Sequence, residues 1–311
     1  MHVLLTGGGG MLASSIADAW RTQRPDDEIT VLSRRDLDLR DTDATREVFA
    51  ASRPDAVIHT AAFVGGIGDK TARPLPYLLH NLQIDASVLD AVVSADIPAY
   101  LYTASAAAYP AEAPNPITEA SLFGGRLEPA NEGYGLAKLT GLTAVEYAAR
   151  QTGHAYRSIL PSNLYGPRDS FDPGRSHLIA STLFKAHQAH VSGRSAVEVW
   201  GDGTARREFT YAPDLAAWIV ESIDDLAAWP AHMNVGAGTD HSIRDFYEIA
   251  CEIVGFDGEL AFDTSKPSGV PQRLIDSARA RQHGWAPRTD IRAGMAACYD
   301  SLLTRTATGD L

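Results

Sequence analysis

The chain has 311 residues, 45% hydrophobic and 21% charged, which excludes disorder and fibrous repeats and leaves one large domain or two packed ones. Its formal charge of -12 excludes the basic face that a nucleic-acid partner needs, while a local basic pocket for a small anion stays open. No apolar run reaches the roughly 18 residues of a membrane helix, and Met1-His2 passes directly into Val-Leu-Leu without a signal peptide, so no membrane partner and a cytoplasmic location are expected.

In chain order, His2 to Thr6 is a predicted strand, and a glycine turn precedes helical spacing over 11–23. Strands follow at Glu28 to Leu32, Ala56 to His59, Ala99 to Thr103 and Arg157 to Leu160, separated by Ala- and Leu-rich helices over 43–52, 75–94 and 132–152. This alternation predicts an α/β protein with a doubly wound parallel sheet of Rossmann type, whose ligands bind beyond the carboxyl ends of the strands. After Pro161, Gly and Pro clusters at 166–174, 192–203 and 266–271 separate shorter elements, read as a second, smaller substrate-binding domain. Met233 to Val235 is expected to return as a strand of the main sheet. Cys251 and Cys298 sit in Ala-rich helical contexts and read as buried thiols; no His or Cys spacing predicts a metal.

Thr6-Gly7-Gly8-Gly9-Gly10-Met11-Leu12-Ala13 joins the first strand to the first helix, the context in which a glycine fingerprint binds a dinucleotide. Glycine permits the tight turn and lets backbone N–H groups reach a pyrophosphate at the helix N-terminus, and the small Ala13 lets helix and strand pack closely. Two spacings fit: Gly8, Gly10 and Ala13 match G-x-G-x-x-A, and Gly7, Gly10 and Ala13 match G-x-x-G-x-x-A. The second strand ends in Ser33-Arg34-Arg35, where an acid would serve the ribose of NAD; two guanidinium groups suit the 2′-phosphate of NADP. One arginine could instead cover a solvated strand end while Asp36 or Asp38 faces the ribose, and Asp38-Leu39 is expected against the adenine. The NADP-binding domain is thus expected over 1–162 with a returning segment near 205–240, and the substrate-binding region over 163–204 and 241–311.

Tyr134-Gly135-Leu136-Ala137-Lys138 places a tyrosine and a lysine four apart on one helix face. A nearby ammonium favours the phenolate and can hold the nicotinamide ribose, which makes the tyrosine a usable acid or base. With 11 tyrosines and four lysines in the chain, such a pair arises by chance in roughly one sequence in seven, so its position carries more weight than its presence. It opens the helix before the fifth strand and follows Ser105, at the end of the fourth, by about 29 residues. Ser105 would bond the reacting carbonyl or hydroxyl while Tyr134 moves the proton and the cofactor moves hydride.

These residues together resemble the extended short-chain dehydrogenase/reductase family, and the resemblance covers nearly the whole chain. Ala61-Ala62-Phe63-Val64-Gly65-Gly66-Ile67, Leu127-Glu128-Pro129-Ala130-Asn131-Glu132, Asn163-Leu164-Tyr165-Gly166-Pro167, Ser176-His177, Trp200-Gly201-Asp202-Gly203-Thr204, Arg207-Glu208-Phe209, Asn234-Val235-Gly236 and Ser265-Lys266-Pro267 are similar to its GDP-L-fucose synthase branch. The resemblance implies that Ser105, Tyr134 and Lys138 are catalytic, that His177 is an acid in epimerisation, and that Arg207 holds the nucleotide diphosphate. It also places Ala61, Ala62, Asn163 and His177 beside the cofactor and Asn163, Trp200 and Lys266 beside the substrate, a GDP-sugar, in a homodimeric enzyme. Trp200 reads equally as a core tryptophan.

The sequence departs from that branch where a cysteine two residues after the catalytic serine works with the histidine in epimerisation: the segment here is Ser105-Ala106-Ala107. Gly269-Val270-Pro271-Gln272-Arg273 also lacks the usual Pro-Arg pair. The leading expectation is NADPH-dependent reduction of a 4-keto nucleotide sugar with 3,5-epimerisation impaired or absent. A full GDP-L-fucose synthase, a nucleotide-sugar 4-epimerase and a non-catalytic NADP-responsive protein are the alternatives.

Overall fold

The structure is a computed structural model that describes residues 1–172, 176–266 and 269–309. Apolar strands, mostly buried except for the half-buried edge strand at Glu28–Leu32, build the first half. In chain order these elements are β1 (His2–Thr6), α1 (Met11–Gln23), β2 (Glu28–Leu32), α2 (Thr42–Ser52), β3 (Ala56–His59), α3 (Ile67–Ala72), α4 (Pro74–Ser94), β4 (Ala99–Thr103), α5 (Glu132–Thr152) and β5 (Ala155–Pro161). There follow β6 (Asn163–Tyr165), α6 (Leu178–Val191), β7 (Ala196–Trp200), β8 (Arg206–Tyr211), α7 (Ala212–Ser222), β9 (His232–Val235), β10 (Asp240–Ser242), α8 (Ile243–Val254), β11 (Glu259–Asp263), β12 (Gln272–Arg273), α9 (Ala278–Gln282) and α10 (Ile291–Thr308).

The main sheet has the order β2-β1-β3-β4-β5-β9 and is parallel throughout. One face buries Leu5, Ile16, Trp20, Ile58 and Ile219 beneath α1 and α7; the other buries Leu4, Phe49, Val88, Tyr100 and Leu142 beneath α2, α4 and α5. The chain leaves β1 in one direction toward β2 and returns past it to β3, so the crevice for a ligand opens between the ends of β1 and β3.

The second half forms a four-stranded sheet of β6, β8, β10 and β12 and a β7–β11 pair, packed with α6, α8 and α10 around Phe246, Val199 and Leu183. Within the segment 205–240, β8 pairs within the small sheet, β9, which contains Met233 to Val235, joins β5, and α7 packs on α1. Three hydrogen-bonded neighbours, β6, β10 and β12, decide this for β8, and its Arg207 reaches the mouth of the cleft as a result. Cys251 and Cys298 are buried in α8 and α10. Among the described residues no helix is long and apolar enough to cross a membrane.

Candidate active site

One cleft of about 2250 Å³ runs along the carboxyl ends of β1 to β5 and under the small domain. Pockets of about 300–1,000 Å³ hold a single small molecule, so this one has room for two nucleotide ligands. The glycine turn forms its floor. Gly7 has φ +85°, and a Cβ there would stand 2.8 Å from the backbone nitrogen of Ala61. The loops after β1 and β3 therefore touch only because position 7 is glycine. Gly10 caps α1 without a side-chain hydrogen bond, which leaves that helix end open toward the cleft. Met11, Leu39, Ala61 and Ala62 line the same floor.

At the end of β2, Asp36 is turned back on Ser33, accepting from its backbone N–H at 2.8 Å and its hydroxyl at 2.6 Å. Asp38 is tied to Arg40 at 2.5 Å, and that hydrogen bond is the chief reason its carboxyl is pulled down to about 2. Both acids are thus occupied within the protein. Arg34 lines the cleft with Ser33 and Asp38 and has no ion pair among the described residues; Arg35 lies outside the lining. A glycine cradle, an open helix N-terminus and one available guanidinium fit an NADP-type dinucleotide.

Ser105 begins a single 3₁₀ turn, Ala106–Ala108, and its Oγ accepts the Ala107 N–H at 3.1 Å. Tyr134, in the first turn of α5, faces the Ser105 hydroxyl. Gly135 makes this possible: a Cβ there would collide with the Ala107 carbonyl oxygen, so glycine lets α5 rest directly on the turn. Lys138 is 1% exposed and lies 3.3 and 3.4 Å from the two oxygens of Asp85 on α4. Asp85 also accepts from the Tyr102 hydroxyl at 2.5 Å and meets His59 Nε2 at 3.1 Å, and His59 Nδ1 meets Thr6 Oγ1 at 2.7 Å.

This buried network changes the electrostatics expected from the Tyr-Lys spacing. Asp85 balances the Lys138 charge, and the Tyr134 phenol is pushed above its ordinary value, first by burial and then by the Asp85 carboxylate, against the opposing influence of the Ser105 hydroxyl. Tyr134 is thereby held as a neutral phenol, a proton donor.

On the facing wall, His177 caps α6 and its Nδ1 stands 3.2 Å from Oδ1 of the buried Asp169, which leaves Nε2 for the cleft. Asn163 lines the cleft and donates to the Glu208 carbonyl at 3.2 Å. Trp200 is 48% exposed at the rim, so it is not a core residue. Lys266 lies over its ring at 5.8 Å but outside the cleft lining, and Pro267 of the same motif falls outside the described residues. Arg207 and Arg273 both line the cleft. Gln272 instead turns to Asp240 at 2.6 Å, while the Arg273 guanidinium donates to the Pro110 carbonyl at 3.1 Å and stands 3.8 Å from Glu128.

Residues 3–236 match the model of the NAD dependent epimerase/dehydratase family. The chain belongs to this family. Among its curated relatives are GDP-L-colitose synthase of Yersinia pseudotuberculosis, 36% identical over 95% of this chain and 96% of the relative, and GDP-L-fucose synthase of Escherichia coli (strain K12), 36% identical over 97% and 96%. Solved structures that resemble it include a GDP-6-OMe-4-keto-L-xylo-heptose reductase of C. jejuni, 26% identical with TM-score 0.89 over 98% of both chains. MlghC, a GDP-mannoheptose C4 reductase of Campylobacter jejuni with NADP bound, is 26% identical with TM-score 0.86 over 97% of this chain and 98% of that one.

Several residues of this epimerase/dehydratase site escape a reading of motifs. Asp85 follows Asn81 by one turn on the face of α4 that buries Tyr77, Val88 and Val92, and polar residues at i and i+4 within an apolar stripe are the signal for it. Asp169, His59 and Tyr102 carry no such mark. Neither does α3, a six-residue helix that sends Lys70 into the cleft.

Proposed function

We propose that this NADP-dependent nucleotide-sugar oxidoreductase reduces the C4 carbonyl of a GDP-4-keto-6-deoxy-hexose and does not invert C3 and C5. The observation that carries this reading is the Ser105–Ala107 turn beneath Tyr134. It presents one hydroxyl and one protonated phenol to the cleft, and at position 107 it presents a methyl group. When bound, NADPH supplies the hydride. Ser105 orients the sugar carbonyl. Tyr134 gives its proton to the oxygen at C4 as the carbonyl π pair moves there. Lys138, anchored by Asp85, holds the cofactor ribose, Gly7, Gly10 and Met11 face the pyrophosphate, and Arg34 the 2′-phosphate. Arg207, aided by Arg273, grips the sugar-linked diphosphate through charge-assisted hydrogen bonds.

Inverting a carbon beside a keto group needs a base on one face and an acid on the other. His177, oriented by Asp169, supplies one such group. Cys251 and Cys298 are both buried in the core of the small domain, away from the cleft lining, so neither replaces the thiol absent at position 107. The names of two solved relatives, both reductases of GDP-linked sugars, are in keeping with this reading.

The test is incubation with GDP-4-keto-6-deoxy-mannose in D₂O, with and without NADPH, followed by NMR of the sugar ring. One NADPH consumed per product, with no deuterium at C3 or C5, is expected. Rapid uptake at both carbons, or GDP-fucose as the main product, refutes the loss of epimerisation; inversion at C4 of a GDP-hexose that carries a C4 hydroxyl, without net NADP(H) consumption, indicates a 4-epimerase.

A further inference from the structure

We propose that Lys70 is a positioning residue for proton transfer: its ammonium, lying over the ring of Tyr134, stabilises the phenolate formed when Tyr134 releases its proton. This rests on the reading of Tyr134 as the proton donor. Lys70 Nζ stands 4.7 Å from the centroid of the Tyr134 ring and 3.3 Å from Asn131 Oδ1, and its side chain lines the cleft. A cation over an aromatic face is attracted by the ring quadrupole, and the attraction grows once the ring carries a formal negative charge.

The need for a second cation follows from the buried network. Lys138, the partner that the Tyr-x-x-x-Lys spacing supplies, is paired with Asp85, whose carboxylate itself opposes ionisation of Tyr134. Lys70 has no carboxylate within ion-pair distance among the described residues. From the turn before α5 it is faced by Glu128, which is engaged by Asn131 Nδ2 at 2.8 Å and by Arg273 at 3.8 Å. From α5 it is faced by Tyr134. On its own helix, Asp69 is held by Arg73 and by the Tyr77 hydroxyl. Burial, only partly opposed by Glu128, brings the Lys70 ammonium down to about 8, so the cation is present at neutral pH and is lost as pH rises through that value.

In the step itself the Tyr134 O–H bond breaks, its electron pair stays on the phenol oxygen, and the proton goes to the oxygen at C4 while hydride from NADPH reaches the carbon. Lys70 neither gives nor takes a proton. Its effect is on the stability of the phenolate.

The experiment follows single-turnover reduction of GDP-4-keto-6-deoxy-mannose by NADPH oxidation between pH 6 and 10, in the wild type, Lys70→Met, Lys70→Arg and Tyr134→Phe. The wild-type rate is expected to fall above pH 8. Lys70→Met should be slower by about 10- to 100-fold at pH 7 and lack that limb. Lys70→Arg, charged at every pH used, should recover the rate without the limb near 8. A methionine variant that keeps the wild-type rate or limb overturns the proposal, and so does an arginine variant as slow as methionine, which marks a packing role. If Tyr134→Phe is as fast as the wild type, the donor assignment fails first, and the inference with it. A second readout needs no sugar: the protein has four lysines, so ¹³Cε-lysine spectra of the NADP complex, assigned with Lys70→Met, follow each one. Lys70 should titrate near 8, and an ordinary solvated value near 10.4 overturns the proposal.

Discussion

Replacing Asp85 with asparagine removes the one negative charge that Lys138, His59 and Tyr102 converge on. Lys138 is 1% exposed and cannot exchange its lost partner for water. Breaking a buried ion pair from one side costs about 3–5 kcal/mol. At about 1.5 °C per kcal/mol for a chain of this length, thermal unfolding should occur about 5–8 °C lower. The double variant Asp85→Asn/Lys138→Met leaves no isolated charge and should lose less than the two single losses added together.

The deficit should also depend on pH. Burial pushes the Asp85 carboxyl up, but Lys138, His59 and Tyr102 together outweigh it and hold the value below the ordinary carboxylate range. A carboxylate whose pKa is lowered on folding contributes stability that is fully present above its unfolded value near 4 and is lost as pH falls through the folded value. The difference between wild type and Asp85→Asn should therefore be constant above about pH 5 and shrink in more acid solution. Denaturant unfolding of both proteins at a series of pH values measures it. An Asp85→Asn protein within about 1 kcal/mol of wild type at pH 7 would refute the claim that Lys138 depends on this carboxylate.

Three further outcomes follow from the geometry. Arg34→Ala should weaken NADPH binding about 10-fold or more and leave NADH unchanged, since a charge-assisted hydrogen bond contributes about 1.5–3 kcal/mol; Arg35→Ala, outside the cleft lining, should stay within about 2-fold in fluorescence titrations. Tyr134→Phe should bind NADPH as the wild type does but reduce substrate about 10²-fold or more slowly; full turnover would assign the proton to another donor. Gly135→Ala should cost about 1–3 kcal/mol in denaturant unfolding because its methyl meets the Ala107 carbonyl, and it should lower turnover by lifting Tyr134 from Ser105; an unchanged protein would show that α5 need not touch the turn.

The main sheet was legible along the chain because its signals are local. Short apolar runs between amphipathic helices mark strands, and each of the five strands of the first half stands where its run does. The glycine turn, Ser105 and Tyr134 were legible for the same reason: a backbone conformation or a helix period ties the residue to its place. The choice between the two glycine spacings was not open to such reading. It depends on how close Ala61, 54 positions away, comes to Gly7.

What only the tertiary structure decided is which charges face one another. Arg34 and Arg35 are adjacent, yet one lines the cleft and the other does not. Lys138 stands one helical turn from Tyr134, yet its charge is balanced by Asp85 from α4, while Lys70 from a short helix without periodicity lies over the tyrosine ring. Local spacing sets which side chains share a helix face, but the proton affinity of a buried group depends on every charge within a few ångströms and on the water excluded around it. Those neighbours come from β3, α3, α4 and α5, and only packing of the folded chain brings them together.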